Sequence, residues 1–91
     1  MVKVVFPSII MSATNGEREV EVTASTLGEV LDKLAAKYGE TFRERILDPD
    51  GRPKRLLNFY VNGRNIRFLD QLNTRVGEGD EVTVLPTVSG G

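Results

Sequence analysis

The chain has 91 residues, 40% hydrophobic and 27% charged, with 12 lysines and arginines against 13 aspartates and glutamates for a net charge of -1. One small domain is the expectation at this length, and no overall field favours nucleic acid or acidic lipid. Cysteine, histidine and tryptophan are absent, which removes disulfides, thiol nucleophiles, imidazole bases and the usual zinc ligands. An enzyme must lower a barrier by ~8 kcal/mol or more; this inventory on so small a domain argues against autonomous catalysis.

Val2, Val4 and Phe6 alternate with Lys3 and Val5 as in a half-buried strand closed by Pro7. Ser12 to Gly16 are turn-prone, and Arg18 to Val22 alternate again, with Val20 and Val22 inward and Glu19 and Glu21 outward. The two strands read as a hairpin with a wide loop. Thr26 and Glu29 have capping-box spacing, and Leu27, Val30, Leu31, Leu34, Ala35 and Tyr38 recur with helical period until Gly39. The result is one amphipathic helix with a stripe to bury against a sheet.

Phe42, Ile46 and Leu47 suggest a short helical turn, and Asp48-Pro49-Asp50-Gly51 carries tight-turn chemistry. Arg52 to Arg55 read as exposed loop. Leu57, Phe59 and Val61 alternate with Asn58 and Tyr60, and Asn62-Gly63 predicts a two-residue hairpin turn into a return strand at Arg64 to Ile66. Phe68, Leu69 and Leu72 are expected to plug the gap before Glu78-Gly79-Asp80, which turns the chain into a last strand, Glu81 to Leu85, with Val82 and Val84 inward. Hairpin, helix, hairpin, strand predicts an α+β fold: a mixed sheet on one main helix, first and last strands parallel at its centre.

That order, with the last strand running into Gly90-Gly91, resembles the ubiquitin-like β-grasp fold over the whole chain. Within it, the ending Leu85-Pro86-Thr87-Val88-Ser89-Gly90-Gly91 resembles the bacterial and archaeal sulfur carriers, the group of the molybdopterin synthase small subunit and the thiamin sulfur carrier. Phe6-Pro7, Leu47-Asp48-Pro49 and Phe59-Tyr60-Val61-Asn62 leading to Ile66-Arg67-Phe68 resemble one branch, the carrier of thiocarboxylate-dependent cysteine synthase. Residues 1–86 are then the β-grasp domain and 87–91 a flexible tail.

The resemblance implies that the carboxylate of Gly91 is the working group. A carboxylate is a poor electrophile, so an E1-like partner would use ATP to make an acyl-adenylate, and a sulfur donor would displace AMP to leave a thiocarboxylate. The chain itself is expected to bind no cofactor and no metal; ATP belongs to the activating partner. The sulfur would pass to a cysteine synthase type enzyme acting on an activated serine, with a metalloprotease releasing the cysteine adduct. Alternatively it would pass to the large subunit of molybdopterin synthase. In a third reading the chain is a ubiquitin-like modifier, its adenylate captured by a lysine of a target.

Gly90 and Gly91 lack a β-carbon, so they suit a narrow channel. Ordering a tail of about five residues costs on the order of 5 to 10 kcal/mol, which burial of Leu85 and Val88, at ~1.5 to 3 kcal/mol apiece, offsets only in part. Pro86 lowers the cost by stiffening the free chain, and Ser89 completes the tail. A docking face is therefore required. If Val4, Phe59 and Val84 face the helix, Val5, Tyr60 and Leu85 form an apolar outer patch for the activating enzyme.

The basic residues Arg52, Lys54, Arg55, Arg64 and Arg67 read as a solvated loop face in preference to a patch for an acidic partner or phosphate. Asp48, Asp50, Glu78, Asp80 and Glu81 read as turn chemistry. With no basic segment ahead of a long apolar run, a cytoplasmic protein is expected, with neither nucleic acid nor membrane as a partner.

Overall fold

The computed structural model describes residues 1–87. Strand β1 (Val2–Val5) pairs antiparallel with β2 (Glu19–Val22), so that Val4 lies opposite Val20 and Val2 opposite Val22. The loop between them is more ordered than its turn-prone sequence predicts. A 3-10 helix at Ser8–Ala13 buries Ile10 and Ala13, and the buried Thr14 hydroxyl donates to the Glu17 carbonyl at 2.8 Å. No helix is long and apolar enough to cross a membrane among the described residues.

Helix α1 (Leu27–Tyr38) has the bounds that its apolar period predicts. Thr26 Oγ1 accepts from the Glu29 N–H at 3.2 Å, which satisfies one of the orphan donors of the first turn. Glu29 reaches back mainly past Thr26, whose N–H is the weakest of its partners. Its Oε1 accepts from the N–H and the hydroxyl of Ser25, one residue earlier. Gly39 ends the helix at φ 92°, a conformation open to glycine, and α2 (Glu40–Ile46) follows at once. Phe42 and Ile46 of α2 are buried, and the Phe42 ring packs against Phe6 and Tyr38 with centroids 6.0 and 5.3 Å away.

The Asp48 turn forms as read: Asp48 Oδ1 accepts from the N–H groups of Asp50 and Arg52 at 2.9 and 3.0 Å. The following segment is not wholly exposed loop. Leu47 and Pro53 form a bridge, and the Lys54 N–H donates to Ile46 at 2.9 Å, so Pro53 and Lys54 are half-buried.

Strand β3 (Leu57–Val61) turns through Asn62 and Gly63, at φ 52° and 84°, into β4 (Arg64–Asn65). Both central residues take positive φ, as the two-residue hairpin turn requires. Asn62 also ties this turn to the start of β5 (Glu81–Pro86). Its amide donates to Asp80 Oδ1 at 3.0 Å and its carbonyl oxygen accepts from the Glu81 N–H at 2.9 Å.

The expected return strand stops one residue early, because Ile66 opens a 3-10 helix at Ile66–Phe68. This also overturns the expected role of Phe68. In a 3-10 helix residues three apart eclipse, so buried Ile66 aligns with Leu69, which packs on the core, while Phe68 points away and is 85% exposed. Leu72 packs on the core as expected.

The sheet order is β2-β1-β5-β3-β4, with β1 and β5 parallel and every other pair antiparallel. Leu27, Val30, Leu31 and Leu34 of α1 close over Val2 and Val4, Phe59, Val82 and Val84 in a single core. That core holds β5, the strand that leads to the C-terminal residues, between β1 and β3.

Candidate functional site

Along β5, Val82 and Val84 are buried while Leu85 is 44% exposed, so alternate residues from Glu81 to Leu85 point to the sheet face away from the helix. The register then decides which outward residues meet. Val5 lies opposite Thr83, and Thr83 lies opposite Tyr60. Val5, Thr83 and Tyr60 therefore form one row across three adjacent strands. Leu85 is opposite Asn58, one step further along the outer face, diagonal to Tyr60. Val5, Tyr60 and Leu85 share the outer face as expected, although Leu85 stands in the next row.

Two members of this face were not singled out from the sequence. Thr83 sits between Val5 and Tyr60, a placement that depends on the register of three strands distant in the chain. Leu56 lies in the turn that enters β3 and carries no alternation signal of its own; its carbonyl accepts from the Thr87 N–H, which puts it beside the end of β5, and it is 70% exposed.

The end of β5 is fastened. Pro86 lies opposite Leu57, and the Thr87 N–H donates to the Leu56 carbonyl at 2.8 Å. Alternation turns the Pro86 nitrogen toward the other edge of β5, beyond Val5, where β1 has ended; the missing donor therefore leaves no ladder bond unmade. The Thr87 hydroxyl also donates to the Arg55 carbonyl at 2.9 Å. Val88, Ser89, Gly90 and Gly91 lie outside the described residues.

At its other end the outer face is polar. Lys3 Nζ lies 3.0 Å from Glu19 Oε2 and 3.8 Å from Glu81 Oε2. The hydrogen bond to Glu19, then the charges of Glu19 and Glu81, raise the Lys3 pKa above its ordinary value. The face thus grades from charged, where β5 begins, to apolar, where it delivers the chain to its last residues. No group of three or more carboxylates able to hold a metal occurs among the described residues. The arrangement has the attributes of a platform for a partner surface.

The ThiS family model matches residues 4–91. The sulfur carrier protein CysO of Mycobacterium tuberculosis is 40% identical over 92 residues, covering 99% of this chain and 98% of that protein. A chain in the crystal structure of the Amycolatopsis orientalis BexX/CysO complex superposes with a TM-score of 0.88 at 33% identity, with both chains covered in full. The small archaeal modifier protein 3 of Haloferax volcanii is 39% identical over 67 residues, 74% of this chain and 71% of that protein. The β-grasp expected from the order of elements is the fold of this chain.

Proposed function

Because this chain belongs to the ThiS family, we infer that it is a sulfur carrier whose Gly91 carboxylate is converted to a thiocarboxylate and consumed as a sulfur donor. The observation that carries this reading is the family match through Gly91 itself, five residues beyond a strand whose outer face turns apolar toward its end. In the proposed sequence a Gly91 carboxylate oxygen attacks the α-phosphorus of ATP on an E1-like enzyme, and pyrophosphate leaves. A sulfide-level sulfur donor then attacks the acyl carbon, AMP departs with the bonding electron pair, and Gly91 keeps the sulfur.

The row Val5, Thr83 and Tyr60, with Leu85 beside it, is the proposed docking face for the activating enzyme. Burial of Leu85 on a partner contributes ~1.5 to 3 kcal/mol toward docking. Neither ATP nor another cofactor is proposed to bind this chain alone. The proposed destination is cysteine biosynthesis, by a cysteine synthase type enzyme with an activated serine as acceptor and a metalloprotease to release the product. This is supported by 40% identity to a CysO sulfur carrier across nearly the whole chain. A cytoplasmic setting is part of the same proposal, since ATP-driven activation takes place there.

Similarity to a small archaeal modifier protein favours a second reading, in which the same adenylate is captured by a lysine amine. Both readings require a free carboxylate at Gly91. Appending one uncleavable residue after Gly91 is therefore expected to abolish sulfur delivery and any conjugation together. Undiminished biological output from the extended chain overturns both.

A further inference from the structure

Residues 51–69 contain Arg52, Lys54, Arg55, Arg64 and Arg67 and no aspartate or glutamate. The segment carries +5. The other seven cations against all 13 carboxylates leave -6 elsewhere, so the small net charge conceals a strong segregation. The fold preserves it. Arg52, Lys54 and Arg67 line a single hollow of about 170 Å³ at the edge of the sheet, where β3 runs past the short β4. Its apolar lining is the half-buried Pro53 with the buried Leu57, Phe59 and Ile66, and its lining includes no carboxylate. Among the described residues, no ion pair involves any of the three cations.

The hollow lies beside the place where β5 ends, since Thr87 is bonded to Arg55 and Leu56, the two residues that follow Lys54. The four residues beyond Thr87 span at most ~14 Å. An enzyme holding Gly91 therefore comes to within that distance of Thr87, and meets this rim as well as the outer face. Among the described residues, Leu56 and Phe68 are the two most exposed large hydrophobic side chains, at 70% and 85%, and they directly follow Arg55 and Arg67. Exposed apolar groups next to unpaired arginines have the composition of a protein interface. An acidic protein segment can use the exposed Leu56 and Phe68 as well as the cations, whereas a polyphosphate chain would gain nothing from those two apolar side chains.

We propose that the Arg52–Lys54–Arg67 hollow is a second docking point, which takes an acidic segment on the surface of the enzyme that receives the chain end. The identity of that enzyme rests on the sulfur-carrier reading; the charge of the segment it presents does not. The surface supplies attraction and orientation, and the bonds made and broken at Gly91 are unchanged.

The direct test is a titration of the ¹⁵N-labelled full chain with a hexaglutamate peptide. Saturable amide shifts are expected at Arg52, Lys54 and 65–67, and their loss is expected in Arg52→Glu/Lys54→Glu/Arg67→Glu. Arg52→Gln/Lys54→Gln/Arg67→Gln serves if the charge reversal disturbs folding. No saturable shift, shifts centred elsewhere, or an equal response to inorganic phosphate overturns the proposal. With an activating enzyme that charges the wild type, the charge-reversed chain should show a KM higher by about tenfold, kcat within about twofold, and a weaker dependence on salt. Glu19→Lys/Glu21→Lys should not raise KM. An unchanged KM in the charge-reversed chain also overturns it. If no activating enzyme charges the wild type, the carrier reading fails, while the peptide titration still decides the surface.

Discussion

Tyr60 and Leu85 are where packing and proposed function part. Their neighbours Phe59 and Val84 are 1% and 2% exposed and belong to the core, whereas Tyr60 and Leu85 turn to the outer face and contribute little to it. Tyr60→Ala and Leu85→Ala should therefore fold, and together should raise the KM for adenylation by roughly tenfold or more, a factor of ten per ~1.4 kcal/mol of lost docking energy. Steady-state pyrophosphate exchange measures this directly; unchanged KM in both variants would remove the docking face. Alternation within one strand made Tyr60 and Leu85 legible from the sequence. Thr83 was not, because its position between Val5 and Tyr60 is set by pairings between residues some 20 to 80 positions apart. Phe68 was misread for a related reason: hydrophobicity marks a residue for burial, but the phase of a three-residue 3-10 turn decides which side it faces.

At the scale of elements, α1 is the best specified. Its cap lies within five residues, its stripe follows a period of 3.6 and its end is Gly39, all local signals, so the sequence predicts its bounds as observed, although the Leu27 N–H also donates to the distant Thr74 carbonyl at 2.9 Å. Thr26→Ala removes the acceptor for the Glu29 N–H and should destabilise the fold by about 1 kcal/mol, a fall in Tm of ~4 to 8 °C by calorimetry. Glu29 adds a pH signature. The hydroxyl and then the backbone N–H of Ser25 hold its carboxyl below the ordinary value of 4.5. A depressed folded pKa means the contribution is complete above the unfolded value and is lost as pH falls through the folded one. Glu29→Gln should thus be less stable than wild type at neutral pH, with the gap closing as the pH falls below the ordinary carboxyl value of 4.5. A constant gap would show that the Ser25 contact contributes nothing. The short β4 was less legible, since a single turn residue pair announces the hairpin but nothing local fixes where pairing with β3 ceases.

As a whole molecule, the chain places its central strand, its apolar outer face and its basic edge so that all three converge near Thr87. The core fixes β5 between β1 and β3, and the ties from Thr87 to Arg55 and Leu56 bring the anchored chain one residue past the strand. The order of elements and the terminal motif announced this design from the sequence, whereas the convergence of Arg52, Lys54 and Arg67 on one hollow depends on tertiary packing. The most direct measurement is the mass of the C-terminal peptide after the full chain is incubated with ATP, a sulfide source and an E1-like activating enzyme. A gain of about 16 Da located at Gly91, sulfur replacing oxygen, is the predicted result. An unchanged peptide mass alongside AMP formation, or Gly91 recovered only in isopeptide linkage to lysine, would contradict it.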